Sequence, residues 1–180
     1  MIPSIEQIEL SIMNDGGFNF RQNLIVFRIT ESSMVVNHEC DCLIMTKSGY
    51  LTEIEIKRSY EDFLNDFKKK HLHEDNHIKD FFFLVHESFK DKVIEKLIEM
   101  KRVPSGVYVY DDECHIRLEI SYTAIVEKIF GEPYYRCDMD DYFSYSNGWT
   151  AKKLFLEERY QLARLGAMRY KNMTEKLLKL

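Results

Sequence analysis

Asp41, Glu55 and Lys57 are the residues of this chain whose types and spacing could do chemistry. In a β-strand, side chains alternate between faces. Glu53, Glu55 and Lys57 therefore project from one side of the segment Tyr50 to Lys57, while Ile54 and Ile56 project from the other. Glu55 and Lys57 then lie about 7 Å apart along the pleat. In the preceding strand Asp41 faces opposite to Cys40 and Cys42, and antiparallel pairing across a Lys47-Ser48-Gly49 turn brings it beside Glu55. Two carboxylates with an ammonium next to them suit Mg²⁺, a hard octahedral ion that takes carboxylate, water and phosphate oxygens. An ion so held can lower the pKa of a bound water and stabilise charge on a phosphodiester during in-line attack. Lys57 would orient or help deprotonate the attacking water and offset the developing negative charge.

These residues need elements to position them. Ser4 reads as the N-cap of a helix in which Ile5, Ile8 and Ile12 recur at helical spacing until Asp15-Gly16-Gly17. Glu9 falls in the middle of that apolar arc, where a carboxylate is costly unless paired, protonated or bound to metal. It either reaches solvent from a fraying end or adds a third ligand, or a base for a second ion, to the Asp41–Glu55 pair. Strands follow at Leu24 to Thr30, Cys40 to Thr46 and Tyr50 to Lys57, forming an antiparallel meander. Ser59 caps a second helix with Asp62 at the capping-box position. The continuous apolar run Asp80 to Val85 suits a strand buried on both faces. A helix from Ser88 to Met100, strands at Val107 to Tyr110 and Ile116 to Ile120, and a short helix from Tyr122 to Phe130 complete an α/β domain over residues 1–130. Residues 131–149 form a Tyr- and Asp-rich loop. Residues 150–180 read as a helical extension with Thr150 as N-cap and Trp149 stapled against Leu154.

On spacing alone, Asp followed by Glu-x-Lys also fits a solvated strand face of alternating charge. The wider context carries a resemblance. Asp41 followed by Glu55-Ile56-Lys57, after a helix carrying Glu9, resembles the PD-(D/E)xK nuclease superfamily with its restriction-endonuclease-like αβββαβ core. His38-Glu39-Cys40-Asp41, the stretch from Lys47 to Ser59, Asp62-Phe63 and the run Lys68-Lys69-Lys70-His71 look similar to MmcB-like DNA-repair nucleases and related phage or mobile-element proteins. The resemblance covers residues 1 to about 120, with Cys40 where the motif has proline; Glu9 is assigned by position only. It implies a mixed sheet flanked by helices and Mg²⁺-dependent cleavage of DNA, with Mn²⁺ as a substitute. Asp41 and Glu55 would be the metal ligands and Lys57 the catalytic lysine. The alternative is a protein that keeps the fold without turnover, as a nucleic-acid-binding or protein-interaction module.

Arg58 and the run Lys68, Lys69 and Lys70 are candidates for gripping DNA phosphates, although lysines at a helix C-terminus are also favoured by the helix dipole. His71, His73 and His77 match no zinc spacing well. Tyr134, Tyr135, Tyr142 and Tyr145 could stack on bases, but Asp138, Asp140 and Asp141 among them favour packing. Cys40 and Cys42 are too close to bridge each other, and Cys114 and Cys137 stand alone, so no disulfide framework or zinc ribbon is expected. With 45% hydrophobic and 31% charged residues in 180, the chain is neither a disordered tail nor a rod. It has no apolar run long enough to span a membrane. A cytoplasmic protein is expected, with DNA as partner and a homodimer possible through the C-terminal helix. The net charge of -5 conceals segments of opposite sign, net +2 over residues 57–71 and net +5 over residues 149–180. Polyanion binding is therefore not excluded by the total.

Overall fold

Alternating apolar residues and well-capped helices build an α/β structure around one mixed sheet. The computed structural model describes residues 2–14, 17–30, 35–68, 75–131, 143–144 and 150–177. In chain order the elements are α1 (Ile5–Asn14), β1 (Leu24–Ile29), β2 (Cys40–Met45), β3 (Leu51–Lys57), α2 (Tyr60–Asp66), β4 (Ile78–His86), α3 (Lys90–Glu99), β5 (Arg102–Val103), β6 (Gly106–Tyr110), β7 (Ile116–Ser121), α4 (Tyr122–Phe130), β8 (Phe143–Ser144) and α5 (Leu156–Leu177). A single 3₁₀ turn, Glu87–Phe89, leads into α3.

Six strands pair in the order β1-β2-β3-β4-β6-β7. β1, β2 and β3 form an antiparallel meander, β3, β4 and β6 run parallel, and β7 returns antiparallel to β6. The apolar run of β4 follows from its place between two parallel neighbours. Phe81, Phe83 and Val85 pack on one face and Leu84 on the other.

The two faces carry two cores. On one, Leu43, Leu51 and Phe83 meet Phe63 of α2, Leu97 of α3, Ile125 of α4 and Leu162 of α5. On the other, Cys42, Ile54, Ile56 and Tyr110 meet Ile8 and Ile12 of α1. The helix starts follow their caps. Ser4 and Gln7 exchange reciprocal hydrogen bonds at α1, and Ser59 Oγ accepts from Asp62 N at α2.

Two sequence expectations are corrected. α5 begins at Leu156 and not at Thr150, because the preceding segment is extended and pinned: Lys152 N donates to Asn76 O and Leu154 N to Gly49 O. Glu158 then reaches back 2.6 Å to Phe155 N and supplies the cap. Trp149, the expected staple, lies outside the described residues. Within the segment expected to be loop, Phe143–Ser144 forms β8 and pairs in parallel with β5. The two strands have two residues each, too short for any periodic signal. Among the described residues, no helix is long and apolar enough to cross a membrane.

Candidate functional site

The meander brings Asp41 and Glu55 together. The β2–β3 ladder runs in register from Met45↔Leu51 to Cys42↔Ile54, and Asp41 follows opposite Glu55. There side chains take over from the backbone. Asp41 Oδ2 accepts from Ile56 N at 2.9 Å, and Glu55 Oε1 accepts from Asp41 N at 3.3 Å. Asp41 is half-buried and Glu55 fully buried.

A break in strand alternation sets this geometry. In the β1–β2 register, Arg28 occupies the position opposite Asp41, between the pairs Phe27↔Cys42 and Ile29↔Cys40. Arg28 has φ 56°, the left-handed region that a bulky residue rarely adopts. Cys40 packs in the core of one face and Cys42 in the core of the other, although strict alternation puts residues two apart on the same face. The expectation that Asp41 faces away from both cysteines is therefore corrected: the strand twists through Asp41.

Lys57 joins Glu55 on its own face. Its Nζ donates to Glu55 Oε2 at 2.7 Å and to Asp66 Oδ1 at 2.9 Å, and all three side chains are buried. Asp66 closes α2, an end where the helix dipole disfavours a carboxylate, and the Lys57 ammonium offsets that penalty. Burial alone would push the Lys57 pKa down. The charges of Glu55 and Asp66, with Asp41 adding to them, hold it well above the ordinary lysine range. These carboxylates favour the charged ammonium over the neutral amine. Tyr110 Oη donates to Lys57 O at 3.2 Å and anchors the strand end from β6.

Glu9 is not brought to this cluster. α1 packs against the Ile54–Ile56 face, away from Glu55 and Lys57, and Glu9 is held by Arg28 through Nε at 2.8 Å and Nη2 at 3.1 Å. Its cost in the apolar arc is met by that pairing. Arg58 is exposed and donates to Pro3 O at 3.1 Å, tying the end of β3 to the segment before α1. Lys68 is exposed and donates to Asn65 Oδ1. Lys69, Lys70, His71, His73, Cys137 and the four loop tyrosines lie outside the described residues.

Sequence reasoning missed two buried polar residues on this face, Asp66 and the His38 that partners Glu53. Asp66 stands three residues after Phe63, on the apolar side of α2, a spacing that marks it as a buried carboxylate. His38 Nε2 lies 3.0 and 2.9 Å from the two carboxylate oxygens of Glu53, with both side chains almost wholly buried. Glu53 sits one pleat from Glu55, so its partner was the unknown. In the turn after β6, Asp111, Glu113 and His115 have ligand atoms within 4.8 Å of one another. Asp111 also accepts from the backbone N–H groups of Glu113 and His115, which accounts for the cluster as a turn.

The donor set at Asp41 and Glu55 fits a hard divalent cation. It offers oxygen ligands only, the carboxylates of Asp41 and Glu55, with the Lys57 ammonium beside them. Asp41, half-buried, is the member of the pair that lies nearer solvent.

No family model matches the chain, and no curated protein matches it. Among solved structures it is similar to the SPO1766 protein of unknown function from Silicibacter pomeroyi, with a TM-score of 0.51 and 13% identity over 96% of this chain and 89% of that one. At that identity the likeness extends to the fold, an α/β arrangement with a mixed sheet flanked by helices.

Proposed function

We propose that the chain is a Mg²⁺-dependent DNA endonuclease with a restriction-endonuclease-like core. The observation that carries the reading is the meeting of Asp41, Glu55 and Lys57 at the point where β2 and β3 exchange backbone pairing for carboxylate pairing. The left-handed Arg28 beside Asp41 supports it. A strained residue tied to Glu9, Glu6 and, through its carbonyl, Arg169 is an over-determined distortion of the kind that collects at functional sites.

Asp41 and Glu55 would hold the metal, which when bound supplies Lewis acidity toward a phosphodiester and a water of lowered pKa. Lys57 fixes Glu55 Oε2, and two of its three N–H donors are used within the described residues, leaving one for a substrate oxygen. Asp66 is a positioning residue: it holds the lysine against Glu55 and touches no substrate. Arg58 and Lys68, on the elements leaving the site, would meet DNA phosphates.

A second reading is favoured by one observation. Glu55 is 1% and Lys57 3% exposed, and a cluster this enclosed suits a nuclease fold kept as a binding module without turnover. Incubation of the full chain with supercoiled plasmid separates the two. The nuclease reading expects nicked or linear product with Mg²⁺ or Mn²⁺, none with chelator, and none from Asp41→Asn or Glu55→Gln. Product that survives both substitutions rejects the site, and salt-sensitive retention of plasmid without product selects the second reading.

A further inference from the structure

α5 carries an apolar stripe that the described residues of its own domain do not cover. Leu162 and Leu165 pack into the core, and Gly166 lies against Val26 of β1, where an added Cβ would come to 3.2 Å. Arg159 donates to Leu154 O and Ser48 O, and Arg169 donates to Arg28 O, so the helix is fixed in rotation as well as in place. Roughly a third of a turn away, at 100° per residue, lie Leu156, Tyr160, Ala163 and Ala167. Leu156 is 83% and Tyr160 63% exposed, and both alanines are exposed. Their intervals of four, three and four residues are those of a coiled-coil seam. Phe155, 75% exposed, extends the apolar surface at the start of the helix.

We propose that this stripe is a self-association surface, on which α5 of a second copy of the chain packs antiparallel. Size and charge both choose this occupant. Antiparallel pairing centred between Gln161 and Leu162 sets Tyr160 over the partner's Ala163 and Leu156 over the partner's Ala167, so each large side chain meets a small one. Glu157 and Arg164, one heptad apart, flank the same side of the stripe. In the antiparallel pair Glu157 therefore faces the partner's Arg164, and the two-fold axis repeats the contact. Parallel pairing would instead bring Arg164 beside Arg159 of the second copy, like charge against like. The inference stands apart from the metal site, since none of these residues touches it.

Sedimentation equilibrium of the full chain tests it. The protein should be dimeric, and Leu156→Glu with Tyr160→Glu should make it monomeric while its circular dichroism spectrum stays that of the unaltered chain. Arg164→Glu, which places four acidic groups along the seam, should weaken the dimer about tenfold, and adding Glu157→Arg should restore it. A monomer at high micromolar concentration, or a dimer indifferent to the Leu156 and Tyr160 changes, overturns the proposal. A charge swap that fails to restore association overturns the antiparallel register. A wild-type monomer whose stripe variant loses DNA binding would give the surface to nucleic acid instead and likewise overturn it.

Discussion

Lys57 Nζ lies 2.9 Å from Asp66 Oδ1, a contact that joins the last residue of β3 to the last residue of α2 with both side chains buried. It fixes the helix that follows the site against the strand that carries it. Removing Asp66 leaves the buried ammonium paired with Glu55 alone and short of one acceptor, so Asp66→Ala should destabilise the protein by about 1–3 kcal/mol, read from urea unfolding. Asp66→Asn retains an acceptor for the ammonium and should cost distinctly less. Equal losses from the two variants would show that the contact does not depend on charge.

The pH dependence follows from the sign of the Lys57 shift. Its pKa is raised on folding, so its contribution is fully present below the ordinary lysine value of 10.5 and is lost progressively as pH rises above it. The stability difference between the wild type and Lys57→Gln should therefore stay constant from about pH 7 to 10 and shrink beyond, measured by denaturant unfolding at each pH. A difference that declines through pH 8 would place the ammonium outside the Glu55–Asp66 pair.

Gly49 has φ 91°, and a Cβ there would collide with the guanidinium of Arg159. That guanidinium joins the turn to α5 through Ser48 O. Gly49→Ala should cost about 1–3 kcal/mol from backbone strain, plus what is lost when Arg159 moves. Unfolding midpoints measure the first effect, and faster proteolysis within α5 reports the second.

The thiols of Cys40 and Cys42 should be inert in the native protein. Burial raises both pKa values, and the neighbouring carboxylates, Glu53 and Glu55 for Cys40 and Asp41 for Cys42, raise them further. Among the cysteines of the described residues, a chromogenic disulfide should modify the half-buried Cys114 first and reach Cys40 and Cys42 only as the protein unfolds. Rapid native modification of Cys40 would show that the site face opens, and of Cys42 that the α1 face does.

Local chemistry made much of this architecture legible. Ser4 and Ser59 announced α1 and α2, and the Phe-rich run announced β4 as a central strand. The pairing of Asp41 with Glu55 followed from the turn and the pleat. What stayed hidden depends on contacts between distant elements. Nothing local in Arg28 signals a left-handed backbone, and it is the resulting twist that sends Cys40 and Cys42 to different faces and gives Glu9 its cationic partner. The enclosure of Lys57 by Asp66 required the packing angle of α2. The start of α5 was displaced because backbone contacts to Asn76 and Gly49 override a good capping residue at Thr150.

The central claim is that Asp41 and Glu55 form a divalent metal site, and Mn²⁺ titration followed by NMR tests it most directly. Paramagnetic broadening should begin at the amides of residues 40–42 and 54–57, disappear in Glu55→Gln, and persist in Glu9→Gln, because Glu9 is bound to Arg28 on the other side of the sheet. Broadening confined to residues 111–115, or none near Asp41 at saturating Mn²⁺, would contradict the account.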